Sequence, residues 1–243
     1  MKRACYCFPY LNLWLLLTFI AAGTLYMQAQ KWLPSDSLFA HYLQNKGYKI
    51  INNNQFTLLP SGREKFDHLF AEIRKAKQHI HLEYFNFRND SIANALFDLL
   101  ALKTKEGVEV RAMFDAFGNM SNNRPLRKRH LNALREKGID IVTFDPITSP
   151  YFNHIASRDH QKIVVIDGKT GYTGGMNIAD YYINGLPKIG AWRDMHLCIK
   201  GPAVNELQHA FVDTWEKETG QEIKGQTYFP FNADSLNAPP RHA

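Results

Sequence analysis

The chain has 243 residues, 45% of them apolar, and its 29 basic against 23 acidic side chains give a formal net charge of +6. That composition supplies one substantial core, and three cysteines, two of them (Cys5 and Cys7) at the extreme N-terminus and Cys198 in an apolar run, exclude a disulfide framework. The positive balance suits an anionic partner such as a lipid headgroup, a membrane surface or nucleic acid, without choosing among them.

Lys2 and Arg3 precede an almost uncharged apolar run from Leu11 to Met27. Its length approaches the roughly 20 residues that cross a bilayer and exceeds the ~7 to 15 of a signal-peptide core, so residues 1–30 are expected to form an uncleaved, single-pass N-terminal anchor in the cell membrane. Lys31, Lys46 and Lys49 on the far side leave its orientation open. Residues 31–54 are mixed and polar, end in the cluster Asn52 to Asn54, and read as a connector. Residues 55–220 carry the regular pattern. A helix is expected over 61–78, where Phe66, Leu69, Phe70, Ile73 and Ala76 recur at helical spacing, then a strand over 80–87. A helix over 91–105 stopped by Gly107, a strand over 108–114, a basic helix over 125–137 and a strand over 139–144 follow. Strands over 162–166, 171–174 and 195–199 and a helix over 203–218 complete the series. This alternation predicts an α/β sandwich, a mixed sheet flanked by helices. Residues 221–243 show no sustained period and read as a linker-like tail.

The chemistry concentrates in Arg158-Asp159-His160-Gln161-Lys162, the run Ile163 to Ile166, Asp167-Gly168, and Gly174-Gly175-Met176-Asn177. Residues two apart in a strand share a face, so His160 and Lys162 project together, an imidazole beside a fixed positive charge. A neutral imidazole can attack phosphorus and hold it covalently, splitting one displacement into two. Lys162 and Asn177 have the chemistry to stabilise the non-bridging oxygens, and Gly174 and Gly175 would let the backbone approach substrate closely.

This run resembles the His-x-Lys-x-x-x-x-Asp motif of the phospholipase D superfamily, with its downstream glycines and asparagine. Leu82-Glu83-Tyr84, Gly107 to Arg111, Trp192 to His196, Gly201 to Val204, and Phe211 with Trp215 narrow the resemblance to the cardiolipin synthase branch, over about Phe56 to Trp215. The resemblance implies a phospholipase D-type α/β half-domain. It also implies a phosphatidyltransferase using no metal or cofactor, with His160 as nucleophile or its acid/base partner and a phosphatidyl-histidine intermediate. By the same likeness Asp194 would accept a hydrogen bond from the imidazole. Asp167, although within the motif, is open to a structural reading, tying its strand to the following turn.

Members of that branch carry two such motifs, and this sequence carries one. A second histidine is needed to protonate the leaving oxygen. The expected partners are therefore an anionic phospholipid such as phosphatidylglycerol, the membrane, and either a second copy of the chain or a separate half-domain. The alternatives are a homodimeric phosphodiesterase or nuclease, for which nucleic acid is the partner, and a catalytically silent half. Three other features read as structural or remain open. His79, His81 and Glu83 alternate along one strand; they are more simply structural than metal ligands, although Glu83, a carboxylate in an apolar strand, needs a partner and is a candidate substrate contact. The basic cluster of Arg124 and Arg127 to His130 reads first as a solvated helix face. Tyr181, Tyr182 and Trp192 fit either a lipid-facing groove or core.

Overall fold

The computed structural model describes residues 34–147 and 158–231. The expected N-terminal anchor lies outside the described residues, and no helix among them is long and apolar enough to cross a membrane. The chain divides into two units, one ending at Ile50 and the other beginning at Ile51. In the first, helix α1 spans Pro34–Asn45, where the sequence predicted only a connector. Its Leu38, Phe39 and Tyr42 are exposed, so it has no buried stripe of the kind that makes a helix legible.

The second unit is built on one seven-stranded sheet: β1 (Gln55–Leu59), β2 (His79–Tyr84), β3 (Glu109–Asp115), β4 (Asp140–Phe144), β5 (Lys162–Ile166), β6 (Thr170–Gly174) and β7 (His196–Lys200), in the order β1-β7-β6-β5-β2-β3-β4. The pairs β2/β3 and β3/β4 are parallel and all others antiparallel, so the sheet is mixed, as predicted. Helices α2 (Gly62–Lys75), α3 (Ser91–Lys105), α4 (Ala116–Ser121), α5 (Lys128–Glu136), α6 (Tyr181–Asn184) and α7 (Val204–Thr219) connect and cover it.

Local signals account for most of these elements. The Ser61 hydroxyl accepts from Glu64 N and donates to the Glu64 carboxylate, starting α2. Asp90 caps α3 and also accepts from Asp180 N, while the Asp180 carboxylate accepts from Ser91 N and Ile92 N, so the starts of α3 and α6 brace each other. Every residue of β2 and β5 is buried, which is why β5 reads as the continuous apolar run of a central strand. Strand β1 was not predicted. It is an edge strand with only Leu59 buried, and it lacks the alternation that reveals a half-buried strand.

The alternation of side chains sorts chemistry onto two faces. Ile80, Leu82 and Tyr84 of β2 and Val164 and Ile166 of β5 join Phe66, Leu69 and Ile73 of α2 and Leu96 and Leu100 of α3 in the main core. The opposite face of β5, Ile163 and Val165, packs with Val204 of α7, and Met113 of β3 packs with Phe211 and Trp215. His79 and His81 lie on this second face. His81 stacks on Phe211 with ring centroids 4.5 Å apart, its Nδ1 is 2.8 Å from Gln208 Nε2, and burial lowers both imidazoles to about 3, so both are neutral.

The tail differs from expectation. Ile223 is buried with Phe211 and Trp215, Tyr228 packs on both His79 and His81, and Asn205 Nδ2 donates to Phe231 O. Residues 221–231 are thus packed chain rather than linker; Ile223, Tyr228 and Phe229 pack beside α7 without making a periodic pattern. Residues 232–243 lie outside the described residues.

Asp167 also receives a structural place. It sits in the β5–β6 turn at positive φ (52°), followed by Gly168 at 65°. Its carboxylate accepts from the backbone amides of Lys77, Gln78 and His79. It thereby ties this turn to the start of β2. Asp167→Ala leaves those amides without their acceptor, and the expected cost is about 2 to 3 kcal/mol of folding stability, read as a lowered denaturant midpoint.

Candidate active site

The strand directions bring the C-terminal ends of β2 and β6 and the N-terminal ends of β5 and β7 to one end of the sheet. His160, Lys162, the segment Gly174 to Asn177, and Asp194 all fall there. Asp167 does not: it lies at the opposite end of β5, roughly 17 Å along the strand from Lys162 at ~3.3 Å per residue. Although the motif makes it a catalytic candidate, Asp167 stands outside the cluster of His160, Lys162 and Asp194.

His160 is exposed just before β5 and Lys162 is buried at the strand's first position. Lys162 Nζ lies 3.1 Å from His160 Nδ1 and donates to His160 O at 2.6 Å. Burial lowers the Lys162 pKa, and Asp159 and Asp194 oppose that shift. Phe85, just past β2, packs on the imidazole with ring centroids 4.7 Å apart. An ammonium has only donors, so Nδ1 accepts from it and the neutral ring carries its proton on Nε2. Attack through Nε2 therefore requires the ring to exchange Lys162 for an acceptor at Nδ1.

Asp194 does not supply that acceptor in this arrangement. Its carboxylate lies against Gly175, where an added Cβ would meet Oδ1 at 2.1 Å, and it accepts from Met195 N. Gly174 (φ 150°) is equally closed, by Met195 O and His196 Nδ1, each within about 2.7 Å of where a Cβ would stand. The two glycines thus admit the β7 entry segment rather than open space for substrate. Asn177 is buried beside them, its Oδ1 facing Asn86 N at 3.4 Å.

Glu83 departs most from expectation. It is buried on the α7 face, where residues 159 and 161 alternate away from His160 and Lys162. Gln161 Nε2 approaches Glu83 Oε1 at 3.4 Å, and Glu83 hydrogen-bonds with Asp159. Burial first, then the Asp159 charge, pushes the Glu83 carboxyl up to about 10. It is therefore a protonated donor to Asp159 rather than a substrate contact. Asp159 also accepts from Gln161 N, and its own amide donates to Asp115 Oδ2. The folded state holds a proton on Glu83 that the unfolded chain has released above about 4.5, so this group's contribution to stability falls as pH rises from about 4.5 towards 10. Glu83→Gln keeps a donor without a titrating proton. Thermal unfolding at pH 5.5 and 8.5 is expected to show wild type losing more stability than the variant over that interval.

Several residues of the site were not singled out from sequence. Lys65 of α2 is fully buried, and its Nζ donates to Met176 O at 2.9 Å and Asn177 O at 3.0 Å. It lies 4.7 and 4.9 Å from the Phe66 and Tyr84 ring centroids. Burial lowers its pKa well below the ordinary lysine value, with Asp194 opposing and Lys162 adding to the shift. His196 of β7 is buried, without a hydrogen-bond partner among the described residues, and held neutral, at about 2, first by burial and then by Lys65 and Lys162. Asp115 caps α4 through Gly118 N and receives the Arg158 guanidinium at 3.5 Å. A cavity of about 340 Å³ opens beside His160, walled by Asp159, Gln161 and, from α7, Asp213, Thr214 and Lys217. No cluster of His, Cys, Asp and Glu fit to hold a metal ion occurs among the described residues.

A mixed sheet presenting His-x-Lys at the entry to a central strand, with an asparagine brought to the same end of the sheet after a Gly-Gly turn, defines a phospholipase D-type half-domain. Solved structures agree on the fold. A phospholipase D family member, Nuc from Salmonella typhimurium, superposes with a TM-score of 0.51 at 17% identity, covering 68% of this chain and 95% of that one. NucT from Helicobacter pylori superposes with a TM-score of 0.52 at 13% identity, covering 68% and 97%. The family described as "Cardiolipin synthase, PLD-like domain" matches residues 69–215, and the chain belongs to it. Similar proteins include a cardiolipin synthase of Alkalihalophilus pseudofirmus, 40% identical over 177 residues, and the major cardiolipin synthase ClsA of Bacillus subtilis, 38% identical over 189. These alignments cover 72% and 77% of this chain but 34% and 38% of those proteins, so the chain spans little more than a third of their length.

Proposed function

We propose that the chain supplies one half-site of a membrane-anchored phosphatidyltransferase that forms cardiolipin-type lipids. The observation that carries this reading is the His160–Lys162 contact at the same end of the sheet as Asn177, in a member of the cardiolipin synthase domain family. An anionic phospholipid such as phosphatidylglycerol would place its phosphodiester between these side chains. The His160 imidazole would displace the alcohol to give a phosphatidyl-histidine, while Lys162 and Asn177 neutralise charge on the equatorial oxygens. A second lipid alcohol, or water, would then take the phosphatidyl group. Protonation of the first leaving oxygen needs a second imidazole, which a further copy of this chain or a separate half-domain would contribute. Residues 1–30 would hold the site at the cell membrane, where its substrates lie.

The test is incubation of the full-length chain in detergent with labelled phosphatidylglycerol, following lipid products alongside oligomeric state. Cardiolipin or phosphatidic acid made by a dimer supports the proposal. Cleavage of DNA without lipid turnover would replace it with a nuclease. A monomer inert toward lipid, even when mixed with a second phospholipase D half-domain, would mark a silent half.

A further inference from the structure

A second cavity, of about 310 Å³, lies where β2 passes into α3 and is separate from the one beside His160. Its walls are Asn86 and Arg88 from the segment after β2, Ser121 to Asn123 at the end of α4, and Tyr181 and Leu186 around α6. The volume is at the low end for small-molecule sites, and the lining is one cation, four amide or hydroxyl side chains and two apolar walls, with no carboxylate.

The cavity adjoins the phosphoryl site through covalent neighbours. Asn86 N faces Asn177 Oδ1 at 3.4 Å, and Phe85, the preceding residue, packs on His160. Tyr181 lies near enough to Asn177 for that side chain to act on its hydroxyl. The Arg88 guanidinium sits 5.7 Å from the Tyr181 ring centroid, its Nε buried without a hydrogen-bond partner, and its ion pair with Asp90 is long at 3.8 Å. Asp90 is already engaged by Ala93 N and Asp180 N, and burial raises its pKa. The guanidinium is therefore under-partnered among the described residues. A planar fork of donors in that state suits a phosphodiester, and side-chain amides, each both donor and acceptor, suit hydroxyls.

We infer that this cavity is the headgroup site of the acceptor lipid and that it takes a polyol phosphodiester, the phosphate on Arg88 and the hydroxyls on Asn86 and Asn123, while Asn122, whose side chain is held by Gly118 O, Asn119 O and Arg124 N, shapes the wall. The catalytic part rests on the proposed function. There the bound hydroxyl oxygen forms the new P–O bond as the P–N bond to His160 breaks, and its proton passes to the imidazole of the second half-site.

Binding can be read without turnover. Asparagine-selective ¹⁵N labelling of the full chain in detergent micelles reports the side-chain amides while glycerophosphoglycerol, glycerol or inorganic phosphate is titrated in. Saturable shifts at Asn86 and Asn123 are expected with glycerophosphoglycerol, weakened at least tenfold in Arg88→Ala. The exposed Asn123→Leu, a milder change, should weaken them about fivefold. Micelles doped with phosphatidylglycerol should reproduce the shifts and phosphatidylcholine should not, which separates a lipid headgroup from a free polyol phosphate. Absence of shifts at these residues, equal binding in both variants, or equal response to phosphatidylcholine overturns the inference. Binding without lipid turnover would remove the proposed function and leave the site standing; turnover with no binding here would do the reverse.

Discussion

His160→Asn is expected to lower lipid turnover by on the order of 10⁴-fold or more, the scale on which removal of an attacking group acts. The imidazole is exposed and packs only lightly, on Phe85, so its loss leaves the sheet and both cores intact. Folding stability should therefore stay within about 0.5 kcal/mol of wild type, as for a surface substitution. Asparagine keeps a polar group in place but has no lone pair able to form a stable bond to phosphorus. Initial rates on labelled phosphatidylglycerol in the active assembly, with thermal unfolding run in parallel, check both halves of this expectation. Turnover within tenfold of wild type would assign the nucleophile elsewhere.

Lys65→Met is the second large effect, and it separates catalysis from stability in the other direction. Lys65 touches none of the reacting groups; it is a positioning residue that fixes the carbonyls of Met176 and Asn177 from beneath. Methionine fills the same volume between Phe66 and Tyr84 and removes the desolvation penalty of a buried cation, offsetting the two lost hydrogen bonds. Net stability should change by no more than about 2 kcal/mol. The loop carrying Asn177 loses its anchor and Asp194 loses a neighbouring positive charge. A misplacement of about 1 Å costs on the order of 10²-fold in rate, and the loss should fall on kcat with KM little changed. A variant equally active but several kcal/mol less stable would make Lys65 structural only.

The residues that sequence made legible are those whose spacing carries their meaning. His160 and Lys162 are two apart at a strand entry, so their pairing needs no tertiary knowledge. The strongly patterned elements follow the same rule: α3 and β5 have the expected boundaries because a cap and stop bracket one and an unbroken apolar run makes the other. Lys65 is different, since its partners are 111 and 112 residues away. One signal existed: Gly62, Lys65, Phe66, Leu69 and Ile73 form the buried face of α2, so a charge stands at a core position. Glu83 shows the opposite error. Its apolar strand demanded a partner, but only the register placing Glu83 opposite Ile163 reveals that this partner is Asp159, on the face away from the nucleophile. Asp167 was ambiguous in the motif and becomes structural once β5 is seen to separate it from Lys162.

In the proposed mechanism His160 carries the phosphatidyl group, and mass spectrometry of the protein during turnover tests this most directly. The full-length chain, in the assembly that turns over phosphatidylglycerol, is quenched at neutral to alkaline pH, where a P–N bond survives, then digested and its peptides weighed. A phosphatidyl increment is expected on the peptide containing His160, chased by added acceptor lipid and absent from His160→Asn. Steady turnover with that peptide unmodified, or with the increment on another residue, would contradict it.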